Sequence, residues 1–197
     1  ADVLDLQRRA AQQLLITGHI DEGVAAMRSV LASEGLKYPA TPRRALVRAV
    51  ALRVRLALRG LSFTPTHESE ISERQLARLD ACWHAGLGLT MTDHIRGAVF
   101  QRHSLLLSLR AGEPVRLSRS LAFEAAHLAG VGTSQRRKVD DLIAKAEQLA
   151  ATSKHPHADA FVLGTRGTAL FLFGDFEGAL AACEAADIRL REHCTGV

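Results

Sequence analysis

Residues Ala158–Leu190 read A-D-A-F-V-L-G-T-R-G-T-A-L-F-L-F-G-D-F-E-G-A-L-A-A-C-E-A-A-D-I-R-L. Two apolar patterns of helical period meet at Gly174-Asp175, a helix stop followed by a helix cap. Small residues recur through the stretch at Gly167, Gly174, Ala179 and Ala186. Gly167 and Ala179 allow two helices to approach closely. Leu170 and Phe176 are then expected to fill the gap between them, and Cys183 and Ala186 to continue the contact face one and two turns on. Such a hairpin is built to stack on copies of itself. This stretch therefore sets the fold class as all-α.

The spacing of Gly167, Leu170, Gly174, Phe176, Ala179, Cys183 and Ala186 resembles the tetratricopeptide repeat, a helix–turn–helix unit of about 34 residues. Leu163 stands where that family usually has Trp, Cys183 where it often has an aromatic, and no Pro follows Leu190. Ala11, Leu14, Gly18, Ile20, Gly23, Met27 and Val30 repeat the offsets, with Gly23 where Ala is usual. Leu107, Gly112, Ser118, Ala122 and Ala125 echo them with one inserted residue. Repeat-like hairpins are thus expected at about 2–34, 93–129 and 157–193. The turn glycines Gly18, Gly112 and Gly174 do not fall at multiples of the ~34-residue period. The resemblance implies an irregular TPR-like α-solenoid of about nine antiparallel helices, forming a single domain over 1–197.

The rest of the chain fits that class. It has 197 residues, 47% apolar and 5% aromatic, and it is rich in Ala, Leu and Arg, which favour helix over sheet. Thr41-Pro42 opens a helix that Gly60 closes. Residues 61–70 read as an extended loop whose Phe63 tucks back, and Ser72 with Gln75 caps the next helix. Asp21 and Ser134 are further expected caps. That fourth helix carries Leu76, Leu79, Trp83 and Leu87 on one face, so Trp83 is expected in the core. Gly86 and Gly88 either weaken its last turns or permit close packing.

Charge and cysteine usage bound the partners. The net charge of +4, from 25 basic and 21 acidic residues, permits an acidic partner without demanding one. The three cysteines, Cys82, Cys183 and Cys194, form no ligand motif and fit a reduced, cytoplasmic setting. No apolar run of about 18 residues occurs, so no membrane partner is expected. The start at Ala1 and the stop at Val197 read as cuts from a longer chain.

One polar feature stands out. At about 100° per residue, Arg44, Arg48, Arg55 and Arg59 share a stripe roughly 60° wide on the third helix. Leu46, Val47, Val50, Val54 and Leu58 lie on its other side. The four arginines are the candidate partner-binding residues, suited to an acidic peptide, a carboxylate-rich neighbouring domain or phosphates. A solvated face with local ion pairs is the alternative. No helix-turn-helix signature accompanies them, so a nucleic-acid partner is not expected.

Catalytic and metal motifs are missing from the sequence. Asp80 and His84 share a helix face, but no third ligand follows, and His155 and His157 merely flank Pro156. Cys183 sits at a packing position and reads as core, and Cys82 beside Trp83 reads as core or interface. There is no GxSxG, P-loop or GxGxxG. No catalytic residue, cofactor or metal is assigned.

Several longer runs carry a second resemblance: T-P-R-R-A-L at 41–46, G-L-S-F at 60–63, the segment from Leu79 to Pro114, and L-R-E-H-C-T-G-V at 190–197. Together they resemble the helical region C-terminal to the catalytic parts of large bacterial serine/threonine protein kinases, some with an intervening ATPase module. The kinase HRD, DFG and Gly-rich motifs do not occur here. The resemblance implies a non-enzymatic interaction scaffold or regulatory module for signal transduction. It would bind a protein or peptide, or other domains of the same chain. The alternative is a domain that senses a small molecule or nucleotide and gates an attached kinase or ATPase.

Overall fold

A computed structural model describes residues 3–194, which form nine α-helices and no strand among the described residues. Residue 2, where the first hairpin was expected to begin, and the last three residues of L-R-E-H-C-T-G-V lie outside them. The helices are α1 (Val3–Ile16), α2 (Ile20–Ser33), α3 (Pro42–Arg59), α4 (Glu73–Thr90), α5 (His94–Ala111), α6 (Pro114–Ala129), α7 (Arg136–Ser153), α8 (Pro156–Leu172) and α9 (Phe176–His193). Two short 3₁₀ turns, Glu68–Glu70 and Thr133–Gln135, precede α4 and α7.

The chain divides into two compact units, one ending at Ala111 and the next beginning at Gly112. In the first, α1 pairs with α2, α4 rests on both, α5 pairs with α4, and α3 packs on α5. In the second, α6 pairs with α7, α8 rests on both, and α9 pairs with α8. Helices α1 and α2 occupy the stretch of about 2–34 and α8 and α9 that of about 157–193, while the division between the units falls inside the stretch 93–129.

Close approach at glycine organises these pairs. A Cβ on Gly167 of α8 would stand 2.5 Å from Cys183 Sγ and 3.2 Å from Ala179 O of α9. One on Gly97 of α5 would stand 2.8 Å from both Thr90 N and Thr90 Cα at the end of α4. Gly23 and Gly88 bring α2 and α4 onto Leu15 of α1, and Gly86 brings α4 onto the backbone of Gln101. The hairpin turns share one design. Gly18 (φ 90°) and Gly174 (φ 81°) adopt the left-handed conformation. His19 N donates to Leu14 O at 2.8 Å and Asp175 N to Leu170 O at 3.0 Å, satisfying carbonyls that the helix end would otherwise orphan.

The first unit's core joins Ala11 and Leu15 of α1, Met27, Val30 and Leu31 of α2, Cys82, Ala85 and Leu89 of α4, and Phe100 of α5. Trp83 is buried, as expected. Tyr38, in the α2–α3 link, stacks on Phe100 at 6.1 Å and is flanked by the Arg28 and Arg96 guanidiniums. Arg96 also pairs with Asp93 and donates to Pro39 O, so the link is fastened to α5. The second unit buries Val139, Leu142 and Ile143 of α7, Val162 of α8 and the small residues Ala179, Ala182 and Ala186 of α9.

Two expected caps are corrected. Helix α2 starts at Ile20 with His19 before it, so Asp21 lies in the first turn, where its charge favours the helix dipole. The 3₁₀ turn at Thr133–Gln135 displaces Ser134 from the start of α7, which has no side-chain cap. The Thr41 cap holds, with Arg44 N donating to Thr41 Oγ1 at 3.3 Å. So does the Ser72 cap, with Gln75 N donating to Ser72 Oγ.

Candidate interaction surface

Helix α3 is the most unusual element of the first unit. Its sequence, P-R-R-A-L-V-R-A-V-A-L-R-V-R-L-A-L-R, holds six arginines and no acid. The face it buries is small: Ala45, Ala49 and Leu52, with Leu56 partly buried, pack against Val99 and Leu106 of α5. The large apolar residues opposite the arginine stripe are turned outward. Leu46, Val47, Val50, Val54 and Leu58 are 54%, 70%, 55%, 52% and 84% exposed. The reason is steric and topological. Among the described residues, α3 packs chiefly on α5, and the alanine arc allows the closest seating on it.

The four candidate arginines divide into two kinds. Arg48 and Arg59 are half-buried and engaged with main chain. Arg48 Nη1 donates to Lys37 O at 2.5 Å, and its Nη2 lies 3.5 Å from His103 Nδ1. Arg59 donates to Gly60 O at 3.1 Å, Ser62 O at 2.9 Å and Leu109 O at 2.9 Å. They fasten the α2–α3 link, the loop after α3 and the end of α5. Arg44 and Arg55 are exposed, as are Arg43 and Arg53, which the stripe did not include. None of these four side chains forms an ion pair among the described residues.

At about 100° per residue, the outward apolar residues sweep an arc of roughly 120°. Arg44 and Arg55 border one edge of it, Arg53 borders the other, and Arg43 stands within it near the N-terminal end. The result is an apolar strip about 18 Å long from Leu46 to Leu58, flanked on both sides by unpaired cations.

Beneath this surface lies a half-buried histidine, His103. Burial, and then the charges of Arg48, Arg78, Arg55 and Arg110, lower the His103 pKa to about 4. A neutral ring lets Nδ1 accept from Arg48. Cys82, wholly buried in the core, has its thiol pushed up to about 12, mainly by burial. A thiol so protonated is a poor nucleophile.

The repeat-packing residues of the second unit also divide. Gly167, Ala179 and Ala186 are buried and Leu170 is half-buried. Gly174 is exposed at the turn. Phe176 (65% exposed) is exposed, correcting the expectation that it fills a gap. Cys183 lies on the contact face with its Sγ toward Gly167 of α8, but it is exposed rather than core. Helix α9 packs chiefly on α8, and Phe176 and Leu180 are uncovered. Phe176 meets Phe171 edge-on at 5.6 Å.

A cleft of about 260 Å³ opens between α7 and α8, floored by Ile143, Ala169, Leu170 and Phe173. Its charges answer one another: Arg166 pairs with Glu147 at 3.0 Å, and Arg136 reaches Asp140 at 3.9 Å while lying over the Phe173 ring. Among the described residues, no three His, Cys, Asp or Glu side chains are grouped to hold a metal ion. No helix there is long and apolar enough to cross a membrane.

Comparison with protein families, with curated proteins and with solved structures found no match to this chain.

Proposed function

We propose that this chain is a non-catalytic protein–protein interaction scaffold, a regulatory module of a cytoplasmic bacterial signalling protein attached to a serine/threonine kinase. The observation that carries the scaffold reading is the outer face of α3. Apolar side chains that could have been buried are held in solvent instead, bordered by arginines that form no ion pair among the described residues. Contiguous exposed apolar surface rimmed by polar groups is the usual mark of an interaction site.

An irregular TPR-like solenoid of antiparallel hairpins is the architecture proposed for it. Three features support that reading. Helices α4 and α8 each rest on both members of the preceding pair, as the first helix of a stacked repeat does. Gly164 faces Ala186 while Gly167 faces Cys183 and Ala179, an order in which one helix runs back along the other. The Gly18 and Gly174 turns have the same hydrogen-bond pattern. The link to a kinase rests on the sequence resemblance alone.

Affinity capture with the chain as bait, followed by cross-linking and mass spectrometry, tests the scaffold reading. Cross-links from a specific partner to exposed helix faces are expected. A chain that captures no partner from cells of its own source, while remaining folded, overturns it. Kinase attachment is tested by whether the chain, added in trans, changes autophosphorylation of the co-purifying kinase. No such kinase, or no change, overturns that part.

A further inference from the structure

We propose that the outer face of α3 receives one partner helix, an amphipathic helix with an aliphatic seam and acidic residues along both of its edges. The inference rests on the scaffold reading above and names the chemistry of the partner.

The argument starts from the shape of the strip. Leu46, Val50, Val54 and Leu58 stand four residues apart and form one ridge, with Val47 beside it. Such ridges are what a second helix packs against. The strip is one helix wide, because its far side is occupied by the α3–α5 contact. Arg44 and Arg55 lie along one edge and Arg53 along the other. This is the arrangement of an apolar seam with flanking charges, in which the flanks choose the partner. With six arginines and no acid on α3, the selected flanks are carboxylates.

The same charges disfavour other occupants. A symmetric contact with α3 of a second copy would set arginine against arginine. An anionic bilayer is a poorer match, since the apolar face carries no aromatic residue and arginines stand at both edges and inside the arc. Folding gives no reason to keep the strip apolar, since it contributes no buried contact to the unit.

The test uses the whole chain and a fluorescent synthetic helix-favouring peptide with Leu along one seam and Glu on both flanks. The control peptide has Lys in place of Glu. Fluorescence anisotropy is expected to show saturable binding of the Glu peptide and at least about tenfold weaker binding of the Lys peptide, the difference expected from a few exposed charge contacts. Val50→Ser with Val54→Ser weakens the Glu peptide by about tenfold or more, through the loss of apolar contact area. Arg44→Glu with Arg55→Glu inverts the preference between the two peptides. Circular dichroism of each variant verifies an unchanged fold, as exposed substitutions should leave it.

Equal binding of the two peptides overturns the proposal. So does tighter association with phosphatidylserine vesicles than with the Glu peptide, abolished by the valine changes. Self-association in sedimentation velocity that the valine changes remove also overturns it. Failure here is separable from failure of the scaffold reading. A chain that ignores the Glu peptide yet cross-links a partner through other helices loses this inference and keeps that one.

Discussion

Replacing Gly97 and Gly164 by alanine is the same chemical change at two helical glycines, and the structure gives it opposite signs. In a helix interior free of tertiary contacts, Gly→Ala stabilises by about 0.8–1 kcal/mol, because alanine restricts the unfolded backbone. Gly164 approaches that limit. Its new Cβ would meet Ala186 Cβ at 3.8 Å, an ordinary contact. Gly97 does not. Its Cβ would stand 2.8 Å from two backbone atoms of Thr90 and 2.7 Å from the Thr90 hydroxyl. Backbone cannot swing aside as a side-chain tip can, so α4 and α5 must separate by several tenths of an ångström along their contact. Overpacking of that kind costs about 1–3 kcal/mol, which exceeds the propensity gain. The net expectation is a loss of about 1–2 kcal/mol for Gly97→Ala and a gain of up to about 1 kcal/mol for Gly164→Ala. Urea unfolding followed by circular dichroism reads both. Fluorescence of Trp83, the single tryptophan and buried in α4, reports the first unit separately. A Gly97→Ala chain as stable as the parent would refute the reasoning that glycine is there for close approach. A destabilised Gly164→Ala would show that the α8–α9 spacing has been misjudged.

Three further perturbations follow from particular contacts. His103 has its folded pKa lowered to about 4 against 6.5 for the free side chain, so between those values the unfolded chain binds a proton that the fold refuses. Stability therefore falls on acidification from pH 6.5 to 4, by about 2–3 kcal/mol after partial solvent screening, and His103→Gln flattens that limb of the profile. An unchanged slope in His103→Gln would place the sensitivity elsewhere. In the native chain at pH 8, iodoacetamide is expected to alkylate exposed Cys183 and to spare buried Cys82 until denaturant is added; peptide mass spectrometry giving equal rates would contradict the burial of Cys82. Asp175 accepts from Gly178 N at 3.0 Å as the cap of α9, so Asp175→Ala should cost about 1 kcal/mol in the thermal transition of the second unit. A change within error would mean that solvent satisfies that amide equally well.

Local signals were the most legible part of this chain. The helices begin and end where Thr41-Pro42, Ser72, Gly60 and Gly174 direct, because caps, proline and left-handed glycine act within a few residues of themselves. Cap errors arose where a competing local structure intervened, as with the 3₁₀ turn that carries Ser134. Pairing was less legible. Nothing in the offsets of Leu107, Gly112, Ser118, Ala122 and Ala125 reveals that the chain divides between Ala111 and Gly112. Both helices of that stretch are apolar and either pairing would satisfy their periodicity.

The orientation of α3 shows why periodicity alone misleads. A helix with large aliphatics on one arc and alanines on another has two faces able to pack, and size is a poor guide to which one does. Against a partner whose facing residues are as large as Val99 and Leu106, the alanine arc seats deeper and wastes no volume. The larger side chains are then left over. The sequence does carry a mark of this, in the placement of charge. Arg43 interrupts the Leu46–Leu58 arc, whereas the Ala45–Ala49–Leu52 arc has no charged residue along it. Full burial of an arc requires every position along it to tolerate loss of water, and an arginine inside it signals an edge that is left wet or is met by a carboxylate. Charge therefore outranks side-chain volume in α3: it marks the alanine arc as the face that can be buried and the aliphatic strip as surface.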